Sequence, residues 1–309
     1  MAPLESLDEK LVEALEGSVE LAKKIGEYII KSGGKRIRPR ITLAVSEGLG
    51  LRRDDALDLA SAVELVHTAS LVHDDVIDLA EKRRNSPTVV MRWGPELAVL
   101  TGDFLFVRAL RIIASKRVEM VDYVAGAVEE MVKAEILQEA VRGSVHLDVD
   151  TYYKIIDGKT GRLFGVAFAL PAYYLGKPFW RELDKAGILV GRAFQIVDDV
   201  LDYFPGTGKD RFKDLLNGKT TLPLIFYTER FGSSLVEKAL REPGEELLLE
   251  LFERMREAGV FGEAIGMARG FLEEAVGIIK GLPFNSGKVV DLLSDYFGRA
   301  FEKFEKTHA

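Results

Sequence analysis

Apolar residues recur along this chain at steps of three and four, the spacing that lines one face of a helix. Leu11, Leu15, Val19, Ala22, Ile25 and Ile29 form the first such series, and Gly33-Gly34 stops it, glycine being the residue that most readily turns a chain out of a helix. Pro39 is expected to open the next helix, towards Gly48, because its missing N–H costs nothing in a first turn. Helical periodicity then covers about 54–80, begins again near Pro95, and spans about 118–142, 150–175 and 181–203. Pro171 is predicted to kink or end the helix that contains it, since it removes a backbone donor and crowds the preceding turn. Residues 204–220 combine glycine, proline and charge as a loop does, and helices resume near Leu222, broken around Pro243-Gly244 and Pro283. No run sustains period-two alternation between hairpin turns, so strands should be few.

The pattern predicts one all-α domain covering residues 1–309, with long helices around a central cavity. Composition supports a sizeable core: 47% of the 309 residues are apolar, ordinary for a soluble globular chain. The net charge, 42 − 49 = −7, argues against a nucleic-acid binder. Cysteine is absent, which excludes disulfides, thiolate ligands and catalytic thiols and fits a reducing cytoplasm. The N-terminal Met-Ala-Pro-Leu-Glu-Ser has no basic region followed by an apolar run, so no signal peptide is expected. No apolar stretch reaches the roughly 18 residues that a transmembrane segment needs.

Two acidic segments stand out against this apolar background: Asp74-Asp75-Val76-Ile77-Asp78 and Asp198-Asp199-Val200-Leu201-Asp202. Residues i and i+4 share a helix face and i+1 lies about 100° round, so each triplet aims its carboxylates one way. Six carboxylates gathered in apolar surroundings repel unless cations sit among them. Mg²⁺ is the economical answer, a hard ion that takes carboxylate oxygens and shares its other positions with phosphate. Asp74, Asp75, Asp78, Asp198, Asp199 and Asp202 are therefore the candidate metal residues, expected to grip a diphosphate through metal bridges. Asp54-Asp55-Ala56-Leu57-Asp58 repeats the spacing but opens a helix, where carboxylates complement orphan amides, and it is read as acidic decoration.

Basic residues answer the acidic ones. Lys35, Arg36 and Arg38 sit at the glycine turn entering a helix, a sensible anion cradle. Arg83-Arg84 follow the first acidic motif, Lys159-Thr160 lie between Gly158 and Gly161, and Lys209 and Lys219 flank the loop after the second motif. Arginine can hold phosphate bidentately and lysine as a point charge. His67, Leu71, Asp74 and Asp78 step by four, three and four, so His67 shares the face of the first motif about 10 Å along the axis.

In this order along the chain, the Gly33–Pro39 segment, His67, the first aspartate motif, Arg83-Arg84, Gly102-Asp103, Lys159-Thr160, Phe194-Gln195 with the second motif, Lys209 and Gly218-Lys219-Thr220 resemble the trans-isoprenyl diphosphate synthases, the polyprenyl synthetase family. The resemblance implies an isoprenoid-synthase-like helical bundle around a deep cavity, a homodimer, and Mg²⁺-dependent condensation of isopentenyl diphosphate with an allylic diphosphate. It implies that the six aspartates surround Mg²⁺. Arg83, Lys159, Thr160, Gln195, Lys209 and Lys219 would hold the allylic diphosphate or steady the charge beside it. Lys35, Arg38, His67 and Arg84 would bind isopentenyl diphosphate, with Phe194 packed near its hydrocarbon. The chemistry this inventory serves is ionisation of the allylic C–O bond, attack by the isopentenyl double bond and proton loss, with no side-chain nucleophile. Departures from the family pattern are Asn85, Leu137, Asp210 and Phe212, of which Asp210 and Phe212 stand where proline and glycine are common.

In that family, bulk upstream of the first motif limits product length. Ala69 and Ser70, five and four residues before Asp74, are both small and Val66 is modest, so a C20 or longer product is expected. Met120, Tyr123 or Met131 could supply a stop instead. Two alternatives remain: a class I terpene cyclase, which needs no second basic site, and a non-catalytic partner subunit, which would tend to lose aspartates that this chain keeps. A His-Asp phosphohydrolase suggested by His73-Asp74 lacks further ligands, there being only four histidines.

Overall fold

The periodic stretches form helices, and the fold is all-α as expected. In the computed structural model, which describes residues 2–84, 86–205 and 211–308, the chain begins with α1 (Ala2–Glu13), α2 (Glu20–Lys31), α3 (Ile37–Gly48), α4 (Arg53–Ile77), α5 (Val89–Trp93) and α6 (Pro95–Lys116). It continues through α7 (Met120–Ala140), α8 (Val149–Ile156), α9 (Arg162–Tyr174) and α10 (Trp180–Leu201). After α11 (Lys213–Leu216) come α12 (Leu222–Phe231), α13 (Ser234–Arg241), α14 (Glu245–Glu257), α15 (Val260–Gly281) and α16 (Gly287–His308). Among the described residues the strands are β1 (Lys82–Arg83) and β2 (Ser86–Pro87), antiparallel with Lys82 opposite Pro87. No helix among them is long and apolar enough to cross a membrane. The chain divides into two units, residues 1–128, 166–184 and 283–289 in the first and 129–165, 185–282 and 290–309 in the second.

The first unit is built on α4. That helix buries Leu59, Val63, Leu65, Val66, Ala69 and Val72, apolar residues all round its axis, which marks a core helix. α1, α3, α5 and α6 pack against it. Charge inside this core is paired, as burial demands: Glu64 lies 2.5 Å from Arg36, and Asp55 lies 2.8 Å from Lys116 and 2.7 Å from Arg52. Lys116 also meets Asp58 at 2.6 Å. The 54–58 segment is thus not mere decoration of a helix start; Asp55 is buried and ties the beginning of α4 to the end of α6.

Two boundaries differ from the sequence expectation. The series from Leu11 to Ile29 is two helices, not one, because Val19 is 73% exposed and Gly17 turns the chain with φ 71°. Leu15 then folds back over α2, lying where a Cβ on Gly26 would come within 2.7 Å of it. Pro171 neither ends nor breaks its helix, which runs on to Tyr174. The proline leaves the Ala167 carbonyl without its helical donor, and the Thr42 hydroxyl donates to that oxygen at 3.0 Å instead.

The second unit has an aromatic centre. Tyr203, Phe204 and Phe261 are fully buried, with Phe204 and Phe261 centroids 5.1 Å apart and Phe204 5.3 Å from Phe252, the edge-to-face spacing that aromatic quadrupoles favour. α14 and α15 pack with α12, and α8 meets α12 from the other direction of the chain. Between α8 and α9 the helix widens into one π turn, Asp157–Gly161, in which the Arg162 N–H reaches the Asp157 carbonyl.

Candidate active site

In the first unit the Gly33-Gly34 turn sets the basic residues. Gly34 has φ 146° and lies against the Arg84 guanidinium, which a Cβ there would meet at 2.6 Å. Arg36 takes a left-handed backbone, φ 50°, and turns inward to donate to Glu64 at 2.5 Å and to the Ile30 carbonyl at 3.0 Å. Its neighbours diverge: Lys35 is exposed and Arg38 buried. Arg38 Nη1 lies 3.3 Å from His67 Nε2. Arginine can only donate, so Nε2 accepts and the proton of the neutral ring sits on Nδ1. Burial, with Arg38 and Arg84 adding to it, holds His67 well below the ordinary histidine range. A neutral histidine among arginines marks a field suited to anions.

The first aspartate motif closes α4. Asp78 caps the helix, its N–H reaching the Asp74 carbonyl, and Asp75 is buried while Asp74 and Asp78 are partly exposed. Carboxylates at a helix C-terminus oppose the macrodipole, so they need cations nearby. Arg83 supplies one, its Nε 2.9 Å and Nη2 2.7 Å from Asp75 Oδ1. Ser32, Arg36, Thr68, Asp75, Arg83 and Arg84 line one small pocket of about 40 Å³. His73 is engaged elsewhere, packed on Gly102 with Nε2 3.1 Å from the Val99 carbonyl, so it does not join Asp74 in a metal pair. Upstream, Ala69 and Val66 are buried, and Ser70 donates to the His67 carbonyl at 2.9 Å. Met120 is buried, and the Tyr123 hydroxyl is tied to Asp184 at 2.5 Å.

In the second unit the π turn presents Lys159 and Thr160, an irregularity common at functional sites. Glycines bring the partner helix close: a Cβ on Gly191 of α10 would lie 2.6 Å from the Gly161 Cα. That approach allows Thr160 Oγ1 to donate to Gln195 Oε1 at 2.7 Å, and Gln195 Nε2 to donate to Asp199 Oδ1 at 2.8 Å. The Tyr152 hydroxyl donates to the other oxygen of Asp199 at 2.7 Å. Burial and then the nearby Asp214 carboxyl push Asp199 well above the usual carboxylate range, against the hydrogen bonds from Gln195 and Tyr152. Asp202, just past α10 and buried, accepts from the Asp214 backbone N–H at 3.0 Å. Lys159 is ion-paired with Glu135. Lys159, Thr160, Gln195, Asp199, Asp214 and Lys219 line one cavity of about 100 Å³.

Phe194 stands among aromatics, 5.3 Å from Phe164 and 5.7 Å from Tyr296 by ring centroid; Met131, the other expected stop, is buried. Phe212, at a family glycine position, keeps the left-handed backbone a glycine would take, φ 60°, while burying its ring 6.0 Å from Tyr203. Lys209 and Asp210, like Asn85, lie outside the described residues. Glu64, Glu135, Tyr152 and Asp214 escaped sequence reasoning. None of them carries a spacing signal, since the π turn between Tyr152 and Lys159 breaks the helical register.

All six motif aspartates are hard oxygen donors suited to a divalent ion of the Mg²⁺ or Ca²⁺ kind. Among the described residues no three acidic or histidine side chains converge into a ready-made metal group.

Residues 19–252 match the family described as polyprenyl synthetase. The chain is 33% identical to octaprenyl diphosphate synthase of Haemophilus influenzae, covering 91% of this chain and 88% of that protein. It is also 33% identical to an all-trans-nonaprenyl-diphosphate synthase (geranyl-diphosphate specific) of Rhodobacter capsulatus, over 90% and 88% of the two chains. A crystal structure of polyprenyl synthase from Caulobacter crescentus, complexed with calcium and isoprenyl diphosphate, superposes with a TM-score of 0.86 at 30% identity, covering 94% of this chain and 92% of that one.

Proposed function

The chain belongs to the polyprenyl synthetase family and is a trans-prenyltransferase, and on that premise we propose which residues carry the condensation of isopentenyl diphosphate with an allylic diphosphate. The whole chain works as one catalytic domain, making a trans-polyprenyl diphosphate of C20 or longer. Each motif offers carboxylates to Mg²⁺, Asp74 and Asp78 in the first unit and Asp198 and Asp202 in the second, with Asp75 and Asp199 beside them. When bound, Mg²⁺ supplies Lewis-acid stabilisation of the negative charge on the departing pyrophosphate. Arg83, Lys159, Lys209 and Lys219 hold the allylic diphosphate and take up the charge that grows on its bridging oxygen. Thr160 and Gln195 present fixed dipoles beside Lys159 and so stabilise the allylic cation without reorganising. Lys35, Arg38, Arg84 and neutral His67 clamp isopentenyl diphosphate, His67 donating through Nδ1. Phe194 and its aromatic neighbours offer an apolar wall that keeps water from the cation.

One observation carries this assignment: Lys159, Thr160, Gln195, Asp199 and Lys219, distant in sequence, line a single cavity joined by the Thr160–Gln195–Asp199 hydrogen bonds. Leu100 and Val107, two turns apart on one face of α6 and 61% and 52% exposed, are where the expected homodimer would meet. The test is incubation of the purified protein with labelled isopentenyl diphosphate and each allylic primer, followed by product sizing. Chelation should stop condensation and Mg²⁺ restore it, and Asp74→Ala or Asp198→Ala should each cost on the order of 100-fold or more in turnover. Undiminished turnover in either variant refutes the assignment.

A further inference from the structure

Tyr152 lies in no recognised motif, yet its hydroxyl forms the buried end of a hydrogen-bonded relay. It donates to Asp199 Oδ2 at 2.7 Å, while Asp199 Oδ1 accepts from Gln195 Nε2 at 2.8 Å and Gln195 Oε1 accepts from Thr160 Oγ1 at 2.7 Å. A side-chain amide can face either way, and its direction is decided by its partners. Here Asp199 Oδ1 accepts from the NH₂ end of Gln195, which leaves the carbonyl end for the Thr160 hydroxyl. The Thr160 hydrogen is thereby committed, and the lone pairs of its oxygen remain available to whatever occupies the cavity that Thr160 lines beside Lys159.

Everything in that relay depends on where Asp199 stands. Its carboxylate could rotate about its terminal torsion, which is a soft, two-fold one, and each rotation would move the oxygen on which Gln195 hangs. Tyr152 prevents this by holding the second oxygen. Its ring is 3% exposed and stands on α8, one helix before the π turn that carries Thr160. Phenylalanine would fill the same space, so the hydroxyl has a task beyond packing.

We propose that Tyr152 is a positioning residue for prenyl transfer, fixing Asp199 so that Gln195 and Thr160 keep one orientation beside Lys159. The proposal rests on reading this cavity as the allylic end of the prenyltransferase site. Tyr152→Phe tests it, in steady-state assays with Mg²⁺, isopentenyl diphosphate and an allylic primer, with thermal unfolding measured alongside. Loss of the hydrogen bond to the Asp199 carboxyl group should lower kcat by roughly tenfold. KM for isopentenyl diphosphate should stay within about twofold, because Lys35, Arg38, His67 and Arg84 are untouched. In a Gln195→Ala background the same Y152F change should cost less than about twofold, since the group it orients has gone. Equal losses in both backgrounds, or wild-type kcat in Y152F, overturn the proposal. Should Y152F fail to fold, Gln195→Glu reads the relay from its other end: a carboxylate cannot donate to Asp199, and unchanged kcat in folded Q195E overturns the proposal equally. Wild-type protein in the same assay separates the two readings. If it does not condense the substrates, the functional assignment fails; if it does while the variant losses simply multiply, only the role of Tyr152 fails.

Discussion

Substituting Gly191 by alanine should separate the two helices on which the second unit's cavity depends. An added Cβ would stand 2.6 Å from the Gly161 Cα, 3.1 Å from the Gly161 N and 3.1 Å from Phe164 Cδ2. Carbon atoms rest at about 3.5–4.0 Å, so α10 and the π turn must part by about 1 Å. Backbone atoms cannot swing aside as the tip of a side chain can. Overpacking of this kind costs about 1–3 kcal/mol, or a fall of several degrees in melting temperature. The functional cost should be larger in proportion. Gly161 directly follows Thr160, and Gly191 lies one turn before Gln195, so the same 1 Å stretches the 2.7 Å bond between Thr160 and Gln195 beyond hydrogen-bond range. Misplacement by about 1 Å can cost on the order of 100-fold in rate. Turnover and thermal unfolding of G191A should therefore both fall. Gly266→Ala, in α15 where an added Cβ meets nothing within 4 Å, should leave turnover unchanged and stabilise by up to about 1 kcal/mol. A G191A enzyme with wild-type kcat refutes the claim that this close approach sets the site.

His67 gives a pH-dependent signature. The folded protein holds it below its ordinary value, so the unfolded chain binds the proton first. Its stability contribution is intact above about pH 6.5 and is lost as pH falls from there towards the folded value, at up to about 1.4 kcal/mol per pH unit. Denaturation midpoints at pH 7.5 and 5.5 should differ less in His67→Gln than in wild type; equal differences contradict a neutral histidine at this position. Phe212→Gly relieves a left-handed backbone, worth about 1–2 kcal/mol, but deletes a buried aromatic side chain worth about 3–5 kcal/mol. Net destabilisation of about 2 kcal/mol should appear in urea titration, and a stabilised variant would show that the ring is not an anchor. Ala69→Phe, which adds bulk at a buried position on the Asp74 helix, should shorten the products separated by radio-TLC; an unchanged distribution rejects Ala69 as part of the hydrocarbon pocket.

The aspartate motifs were legible because charge inside apolar helical sequence is conspicuous whatever the fold. Helix positions were legible for the same reason in reverse, through the spacing of apolar residues. The turn after α1 was not, because Leu15 and Val19 keep the three-four rhythm across it while only Leu15 is buried. The π turn was not, because an extra residue in one helical turn leaves no trace in spacing until contacts show which face Lys159 takes. Pro171 does not end its helix because the carbonyl it leaves without a helical donor is answered by Thr42, 129 positions earlier (171 − 42). Glu64, Glu135 and Asp214 are ordinary acidic residues on their own helices or turns. Each matters through one partner, Arg36, Lys159 or Asp202, chosen by tertiary contact.

The arginines after the first motif show why such partners matter more than proximity in sequence. Arg83 and Arg84 could have been solvated charges on a surface loop, worth little to any anion because their freedom would have to be surrendered on binding. Instead their segment is clamped at both ends. The Thr88 hydroxyl donates to the Ala80 carbonyl at 2.7 Å, the Tyr28 hydroxyl donates to the Pro87 carbonyl at 2.7 Å, and β1 pairs with β2 between them. The clamp holds two residues, Leu79 and Arg84, in left-handed backbone at φ 50° and 52°, and the facing turn adds Arg36 at φ 50°. Strain of this kind costs about 1–3 kcal/mol per residue and persists only where surroundings enforce it. Two of the three, Arg36 and Arg84, line the basic pocket, so its cations are ordered during folding. A diphosphate bound as proposed would meet guanidinium groups already in place, leaving more of its attraction to them for binding and for the transition state.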